Sequence, residues 1–431
     1  MSRKIDFWDL LNDVQGYISK NFSASLNDNE SEEQIKAYIN KYLYDFPCEV
    51  EGHSAETIID DLYCEMAEYS VLTKYLESPD LEEINVNAWD DIAITYVDGS
   101  IHKSAEHFHS PQHAVDILKR LLHNSGMVID NATPMAQGHL PNNTRITVLK
   151  APIVDEINGI SASIRLLHPQ RVTLDKLMTT DFATEKMLKF LCMCMRYGVS
   201  LVIAGATSTG KTTLLNCLLT TIPDNKRVYT IESGARELGL VRRDENGVIK
   251  NNVVHTLSRP SENPNYDISQ EKLVVASLRF NPDIICVGEM RDVECYSAVE
   301  ASLTGHTVVS SVHASGCEGT HMRIALLCQK KFPIDFNTSL IQAAQAFPIV
   351  VFTHRLENND RKVMEIAEAE VLPNGERRYR TLFNYNITNN ILTKDGYQVE
   401  GHFDQPEIMS NSLKKKLLQY GVPQTLLRQF L

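Results

Sequence analysis

Long apolar runs and net positive charge are both lacking in this 431-residue chain. No apolar run approaches the roughly 20 residues that a membrane-spanning helix needs, and the first residues lack the apolar core of a signal peptide. We therefore expect a cytoplasmic protein. The net charge is −13, which disfavours a protein that coats nucleic acid.

Paired cysteines are also lacking. The sequence has nine cysteines, an odd number, and none of them forms a Cys-x-x-Cys pair. Cys192 and Cys194 are separated by one residue, which is a poor spacing for zinc. Because several cysteines lie inside apolar runs, we predict reduced and mostly buried thiols rather than a disulfide framework.

One short segment limits the function more than any other. Residues 205–212 read Gly-Ala-Thr-Ser-Thr-Gly-Lys-Thr, which fits the G-x-x-x-x-G-K-[ST] pattern of a phosphate-binding loop. An apolar strand, Ser200–Ala204, precedes it, and an apolar helix, Thr212–Leu219, follows it. In such a loop the backbone N–H groups and the N-terminal end of the helix face the phosphates of a nucleotide. The alternative is a glycine-rich turn between two core elements.

The phosphate-binding loop also predicts individual roles. Lys211 would reach the β- and γ-phosphate oxygens, and the Thr212 hydroxyl would hold Mg²⁺. The nucleotide-binding residues that we predict are Gly205, Ala206, Thr207, Ser208, Thr209, Gly210, Lys211, Thr212 and Thr213.

Acidic residues follow two further predicted strands. Glu289 ends the apolar run Ile284–Gly288, where ligands bind in open α/β sheets, at the carboxyl ends of the strands. It could hold a Mg²⁺-bound water or polarise the attacking water; the alternative is a surface ion pair with Arg291. Glu232 and Glu237 form a second acidic cluster after Thr230–Ile231, for which a solvated loop is the alternative. Together Thr212, Glu289 and Glu232 are the predicted metal ligands.

Two histidines bracket one more strand. His306 precedes Thr307–Val312 and His313 follows it. Their seven-residue offset suits no common metal-ligand spacing, so we favour a role in sensing the γ-phosphate, with a structural role as the alternative.

The order of patterns along the chain predicts its domains. Residues 51–168 combine helices with alternating strands, including a turn at Asp98-Gly99, and from 177 onwards strands alternate with helices, as in a parallel α/β core. The expected segments are an N-terminal helical or flexible extension (1–50), an α+β domain (51–168), a linker (169–176), an ATPase domain (177–350) and a C-terminal α+β extension of it (351–431).

The motifs together resemble those of the ATPases that power type II secretion, type IV pili and type IV secretion. The four matching segments are the phosphate-binding loop, the acidic box 230–237, the strand that ends in Gly288-Glu289 and the histidine box 304–314. Outside them, Pro79–Asn87, Thr144–Ile146, Ser163–Arg165 and Leu278–Asp283 look like segments of the tight-adherence pilus branch, the CpaF-like or TadA-like ATPases.

This resemblance implies more than the residues alone predict. It implies a fold of the α/β class, a RecA-like P-loop NTPase motor domain preceded by a small α+β domain, and a ring-shaped homohexamer. It also implies that Arg145 and Arg165 of the N-terminal domain complete the phosphate site; without it, both would be predicted to form surface ion pairs. One departure is Ser233, which stands where the family usually has an aspartate, so the roles of Glu232 and Glu237 stay open.

We therefore expect a Mg²⁺–ATP hydrolase that powers assembly of a Tad or type IV-like pilus, or protein secretion. Its catalytic residues would be Lys211, Glu289, Glu232, Glu237, Arg145, Arg165, His306 and His313. Its partners would be inner-membrane platform proteins that hold it at the inner face of the cytoplasmic membrane, without direct contact to nucleic acid. Two alternatives are a conjugation ATPase that serves DNA transfer and an ATP-dependent switch with low turnover.

Overall fold

The computed structural model describes residues 3–22, 32–54, 56–140, 144–167, 172–259, 261, 263–394 and 396–430. The chain divides into two compact units, Met1–Leu167 and His168–Leu431. Residues 169–171 of the predicted linker lie outside the described ranges, and its last three residues belong to a helix that begins at Leu174. Within those ranges, no helix combines the length and the apolarity that crossing a bilayer requires.

The first unit begins with a small helical core. Apolar side chains of three helices meet in it, among them Leu10, Ile39 and Leu62, and two short strands pair in parallel beside it. The predicted boundary between residues 50 and 51 falls inside this core. The elements are β1 (Arg3–Ile5), α1 (Phe7–Phe22), α2 (Glu32–Asp45), β2 (Cys48–Val50), α3 (Ile58–Ala67) and α4 (Thr73–Leu76).

The apolar periodicity of residues 54–78 predicts one amphipathic helix, but the structure breaks it into α3 and α4. Arg120 Nη1 donates to the carbonyl oxygens of Glu65 (3.0 Å) and Glu68 (2.7 Å) at the end of α3. These are carbonyl groups that a helix end leaves unsatisfied. A distant side chain therefore ends the helix, and Ser70, with φ of 54°, turns the chain into the next segment.

A six-stranded antiparallel sheet forms the rest of the first unit, with strand order β5-β4-β3-β8-β7-β6. Its alternating residues give it one apolar face, which packs against α5, and one polar face. Gly99, with φ of 86°, lies in the turn predicted between β4 and β5. The elements are β3 (Leu81–Ala88), β4 (Asp91–Tyr96), β5 (Ile101–Lys103), α5 (Pro111–His123), β6 (Met135–Leu140), β7 (Thr144–Lys150) and β8 (Ile160–Leu166).

The second unit is built on a nine-stranded sheet of order β11-β10-β12-β13-β9-β14-β15-β16-β17. Its first six strands are parallel. The elements up to the last parallel strand are α6 (Leu174–Thr179), α7 (Glu185–Arg196), β9 (Leu201–Ala204), α8 (Lys211–Leu219), β10 (Arg227–Glu232), β11 (Asn252–Leu257), α9 (Gln270–Ser277), β12 (Ile284–Met290), α10 (Glu294–Leu303), β13 (Thr307–Val312), α11 (Cys317–Gln329), α12 (Phe336–Ala346) and β14 (Ile349–Arg355).

Helices cover both faces of this sheet, so its strands are apolar throughout. Leu201 and Ile203 of β9 face one core, which also contains residues of α7 and α8. Val202 and Ala204 face the other core, together with residues of α10, α11 and α12. The fold of this unit is therefore the α/β class expected for a RecA-like motor domain, and the small α+β unit precedes it.

The C-terminal strands continue the same sheet in antiparallel fashion. The predicted boundary at residue 350 falls inside β14, and Leu413 and Leu417 of the last long helix pack into the core beside α7 and α8. The elements are β15 (Arg361–Val371), β16 (Arg377–Thr393), β17 (Gly396–Asp404), α13 (Asn411–Gln419) and α14 (Gln424–Leu427).

Candidate functional site

Most of the candidate residues in the second unit meet at one edge of its sheet. Strands β9, β10, β12 and β13 are parallel, so their carboxyl ends lie side by side. The phosphate-binding loop leaves β9, Glu232 ends β10, Glu289 lies near the end of β12 and His313 follows β13. This is the edge at which open α/β sheets bind their ligands.

The phosphate-binding loop takes a backbone path that requires its two glycines. Gly205 has φ of 153° and Gly210 has φ of 89°, both positive values that L side chains rarely adopt. A Cβ on Gly205 would lie 2.4 Å from the Thr353 carbonyl oxygen, so no larger residue fits there. Helix α8 begins at Lys211, and its N-terminal end therefore faces the loop.

A threonine pair fixes the loop to the neighbouring strand. Thr209 and Thr353 place their Oγ1 atoms 2.9 Å apart, and both are buried. Thr209 Oγ1 also lies 3.0 Å from the Ala206 carbonyl oxygen, and Thr353 Oγ1 lies 3.1 Å from the Ala204 carbonyl oxygen, so the two hydroxyl protons are shared among three contacts. The loop is thus held in its curled form by the protein itself.

A chain of polar contacts runs from the loop to the end of β12. Lys211 Nζ donates to the carbonyl oxygens of Gly205 (3.1 Å) and Ala206 (2.6 Å), and lies 3.4 Å from His313 Nδ1. His313 Nε2 lies 3.0 Å from Glu289 Oε1. Three elements therefore bring Lys211, His313 and Glu289 together.

Glu289 forms the ion pair with Arg291 that the sequence gives as one alternative, and it also contacts His313. Its second oxygen, Oε2, lies 3.0 Å from Arg291 Nη2, so the surface ion pair exists beside the contact to His313. Burial and the nearby Lys211 ammonium lower the pKa of His313, while the Glu289 carboxylate opposes them. The Glu289 side chain keeps 23% of its surface exposed, so it remains accessible from solvent.

Glu232 is placed differently from Glu289. It is 4% exposed, and its Oε1 accepts hydrogen bonds from the backbone N–H groups of Glu237 (2.7 Å) and Leu238 (2.9 Å). Burial raises the pKa of Glu232 to about 7. His255 Nδ1 lies 3.9 Å from its Oε2, and burial lowers the pKa of that histidine to about 4. Glu232 therefore holds the loop that follows β10.

Most of the chain matches a known protein family. A family model described as "Type II/IV secretion system protein" matches residues 65–371, which is more than half of the chain. The chain belongs to this type II/IV secretion system protein family. The match includes the sheet of the first unit, the phosphate-binding loop and the parallel strands that carry the acidic residues and histidines.

Individual relatives are more distant. An uncharacterised protein of Methanocaldococcus jannaschii is 26% identical over 70% of this chain and 55% of its own length. The type IV secretion system protein PtlH of Bordetella pertussis is 30% identical over 43% of this chain and 54% of its own length. The chain thus spans about half the length of these curated relatives. A crystal structure of the VirB11 ATPase from the Brucella suis type IV secretion system, in complex with sulphate, is 22% identical with a TM-score of 0.37, over 69% of this chain and 95% of that one.

The two histidines of this family member lie at opposite edges of the sheet. His306 precedes β13 and His313 follows it, and a strand rises about 3.3 Å per residue, which separates them by roughly 20 Å. The backbone N–H of His306 donates to the Ala301 carbonyl, and its Nδ1 is buried without a hydrogen-bond partner among the described residues. The structure therefore brings His313, but not His306, to the phosphate-binding loop of its own unit.

The two predicted arginines lie together in the first unit. Arg145 of β7 and Arg165 of β8 are directly opposite each other, so both side chains point to the polar face of the antiparallel sheet. Arg165 Nη2 lies 3.6 Å from Glu82 Oε1, and its side chain is 39% exposed. The ion pair expected from the residues alone is therefore present for Arg165, in a weak and accessible form.

The residues at the edge fit Mg²⁺ only as part of a nucleotide complex. Among the residues that the structure describes, no group of three or more His, Cys, Asp or Glu side chains could hold a metal ion. Mg²⁺ in nucleotide sites typically uses one or two protein oxygens together with water and substrate phosphates. The Thr212 hydroxyl on the first turn of α8 and the accessible Glu289 carboxylate supply such oxygens.

Two residues next to the loop carry no motif and were missed in the sequence. Thr353 lies on β14 and contacts Thr209, as described above, and Arg361 begins β15 close to Gly210. Both fall in the segment predicted as a C-terminal extension. The only signal in the sequence is a run of polar residues, Thr353-His354-Arg355, at the end of an apolar strand.

Proposed function

We propose that the chain is a Mg²⁺-dependent ATP hydrolase that acts as the motor of a secretion or pilus machine. The observation that carries the proposal is the contact chain from Lys211 through His313 to Glu289, at the edge where the phosphate-binding loop lies. It joins a phosphate-binding cation to a carboxylate that can act on water. The membership in the type II/IV secretion system protein family supports the same function.

The residues of the site would have different roles in ATP hydrolysis. The loop 205–213 and the N-terminal end of α8 bind the phosphates, and Lys211 neutralises the β- and γ-phosphate charge. Glu289 orients and polarises the attacking water, and His313 couples it to Lys211. Bound Mg²⁺, held by Thr212 and Glu289, would neutralise phosphate charge. Because Glu232 already serves the backbone of its own loop, Glu237 is the better candidate for the second acidic role.

The assembly and its partners follow from the resemblance. The chain would form a ring-shaped homohexamer in which Arg145 and Arg165 stabilise the charge of the transferring phosphoryl group. Nucleotide binding and release would move the two units about the segment near 168–176. The ring would work in the cytoplasm on inner-membrane platform proteins. The segments Pro79–Asn87 and Leu278–Asp283 favour the tight-adherence pilus branch, whereas PtlH is named a type IV secretion system protein.

The first test is ATP hydrolysis by the purified chain and by the variants Lys211→Ala and Glu289→Ala. We expect the lysine variant to lose nucleotide binding and the glutamate variant to bind nucleotide but to lose turnover. Parental activity in both variants would overturn the mechanism. Particle size with and without a non-hydrolysable ATP analogue then tests the six-membered ring.

A second candidate is a switch that binds ATP and turns it over slowly. Two observations favour it: Ser233 stands at the usual aspartate position, and Glu232 is committed to the N–H groups of Glu237 and Leu238. A steady-state turnover well below one per minute at saturating ATP, with tight ATP binding, would favour the switch over the motor.

A further inference from the structure

The turn between β14 and β15 lies at the same edge of the sheet as the phosphate-binding loop. Strand β14 runs parallel to β9, with Phe352 opposite Ala204. Arg355, three residues further, therefore extends beyond the end of β9 to the level of the loop. The chain reverses within residues 356–360, where the Leu356 N–H donates to the Asp360 carbonyl at 2.7 Å.

This turn places two arginines next to each other. Arg355 is directly opposite Arg361 in the antiparallel pair β14–β15, so both side chains point to the same face of the sheet, with Cβ atoms about 5 Å apart. Thr353 and Val363 are the next pair on that face. Since the Thr353 hydroxyl bonds the phosphate-binding loop, the arginine pair lies on the face that contacts this loop.

Arg361 itself reaches the loop. A Cβ placed on Gly210 would lie 3.9 Å from Arg361 Cδ, so the aliphatic part of the arginine passes over the residue that precedes Lys211. The Arg361 side chain therefore lies beside the phosphate-binding loop, next to the residue that precedes the start of α8.

Hydrogen bonds of the next two residues hold the backbone beside Arg361. The next residue, Lys362, is 4% exposed and donates from Nζ to both the carbonyl and the Oδ2 of Asp181, each at 2.8 Å. The Val363 N–H donates to the Phe182 carbonyl at 2.8 Å. The backbone next to Arg361 is thus held before any ligand binds, which reduces the ordering cost of binding.

Arg355 and Arg361 thus place two guanidinium-bearing side chains side by side at this edge of the sheet. The guanidinium group matches phosphate oxygens with two parallel N–H donors. We infer that Arg355 and Arg361 form a second phosphate-binding element, which contacts the phosphates of the nucleotide held by the loop 205–212. The inference rests on the proposed function, since it requires a nucleoside polyphosphate in that loop.

The experiment is calorimetric titration of the full chain with Mg²⁺–ADP and, separately, with inorganic pyrophosphate. Arg361→Met keeps the aliphatic stem over Gly210 and removes the charge, whereas Arg361→Lys keeps a charge without the two-pronged donor. Because charge-assisted hydrogen bonds are the strong ones, we expect Arg361→Met to weaken both ligands about tenfold. Arg361→Lys should lose less, and Arg355→Met about threefold.

Arg378→Met is the matched control, because it removes one positive charge from an exposed arginine at the other end of the β15–β16 pair. It should bind both ligands like the parent chain. Lys211→Ala tests whether ADP binds in the phosphate-binding loop. If the parent chain binds ADP and Lys211→Ala does not, while Arg361→Met binds like the parent, the inference fails and the proposed function stands.

Other outcomes are equally informative. Weaker ADP binding with unchanged pyrophosphate binding would place the guanidinium on the ribose or base and overturn the phosphate assignment. An equal loss in Arg378→Met would reduce the effect to net charge and also overturn it. If the parent chain itself binds no ADP, the proposed function fails together with the inference. If circular dichroism shows that Arg361→Met does not fold, the inference is tested by comparing Arg355→Met with Arg378→Met instead. Equal ligand binding by these two variants would then overturn it.

Discussion

Two glutamate–histidine pairs lie at the same edge of the parallel sheet, and they differ in how they are used. In the open pair, Glu289 and His313 are 3.0 Å apart and both partly exposed, and His313 also lies 3.4 Å from Lys211. In the closed pair, Glu232 and His255 are 3.9 Å apart and nearly buried. Each pair comes from the ends or interior of neighbouring strands, so position in the sheet alone does not distinguish them.

The difference lies in what each carboxylate already binds. Glu232 gives one oxygen to two backbone N–H groups, while the contacts described for Glu289 are to the side chains of Arg291 and His313. A carboxylate at a strand end is thus available for chemistry only when the loop after its strand does not need it.

The strongest test of this contrast is the pair of variants Glu289→Gln and Glu232→Gln. If the open pair activates water, Glu289→Gln should lower kcat at least about 100-fold, the usual range for losing a general base, while nucleotide binding remains. Glu232→Gln keeps an oxygen that accepts the loop hydrogen bonds and should stay within a few-fold of the parent. ATP turnover at saturating substrate measures both.

Equal losses of turnover in these two glutamine variants would break the contrast, since both carboxylates would then serve the reaction. Glu237→Gln is the third member of this series. A loss of turnover in it, with Glu232→Gln active, would assign the second acidic role to Glu237.

The second prediction concerns the free energy of unfolding, for which Glu232 should matter more than Glu289. Glu232→Ala leaves the N–H groups of Glu237 and Leu238 without their acceptor, which should cost about 2 kcal/mol of unfolding free energy. Part of the loss is offset because the ionised Glu232 is itself poorly solvated, as its raised pKa reflects. Glu289→Ala removes only partly exposed ion pairs and should cost less than about 1 kcal/mol. Urea unfolding followed by circular dichroism compares them, and a larger loss for Glu289→Ala would contradict the assignment.

The sequence was sufficient for the architecture of the second unit because its signals are local. Apolar runs bounded by Gly, Pro and acidic residues predict β9, β10, β12 and β13 correctly, and Gly205 and Gly210 predict the loop. Strand β11 was missed, because its residues 252–257 are only half-buried and follow no strong alternation. The break between α3 and α4 was also missed, since it depends on Arg120, which is more than 50 residues away.

For the site, the sequence predicts which residues stand at the carboxyl ends of the strands but not what they bind. The structure brings Lys211, Glu289 and His313 to one edge, because strand direction fixes that edge. His306 cannot join them within this unit, since seven residues of strand lie between the two histidines. The commitment of Glu232 and the approach of Arg361 to Gly210 depend on loop paths and strand register, which no local pattern encodes.

The smallest expected effect concerns the histidines of the two pairs. His313 lies within 3.4 Å of Lys211 and 3.0 Å of Glu289, so His313→Gln should lower kcat about tenfold, as is common when a supporting residue of a site is lost. His255 instead lies 2.8 Å from Thr230 Oγ1 and is held neutral by burial, so His255→Gln should change kcat less than about twofold while lowering stability by about 1 kcal/mol. Turnover and urea unfolding of both variants measure these effects. If His255→Gln lost as much turnover as His313→Gln, the closed pair would be part of the catalytic machinery, and the distinction between a committed and an available carboxylate would no longer explain this edge of the sheet.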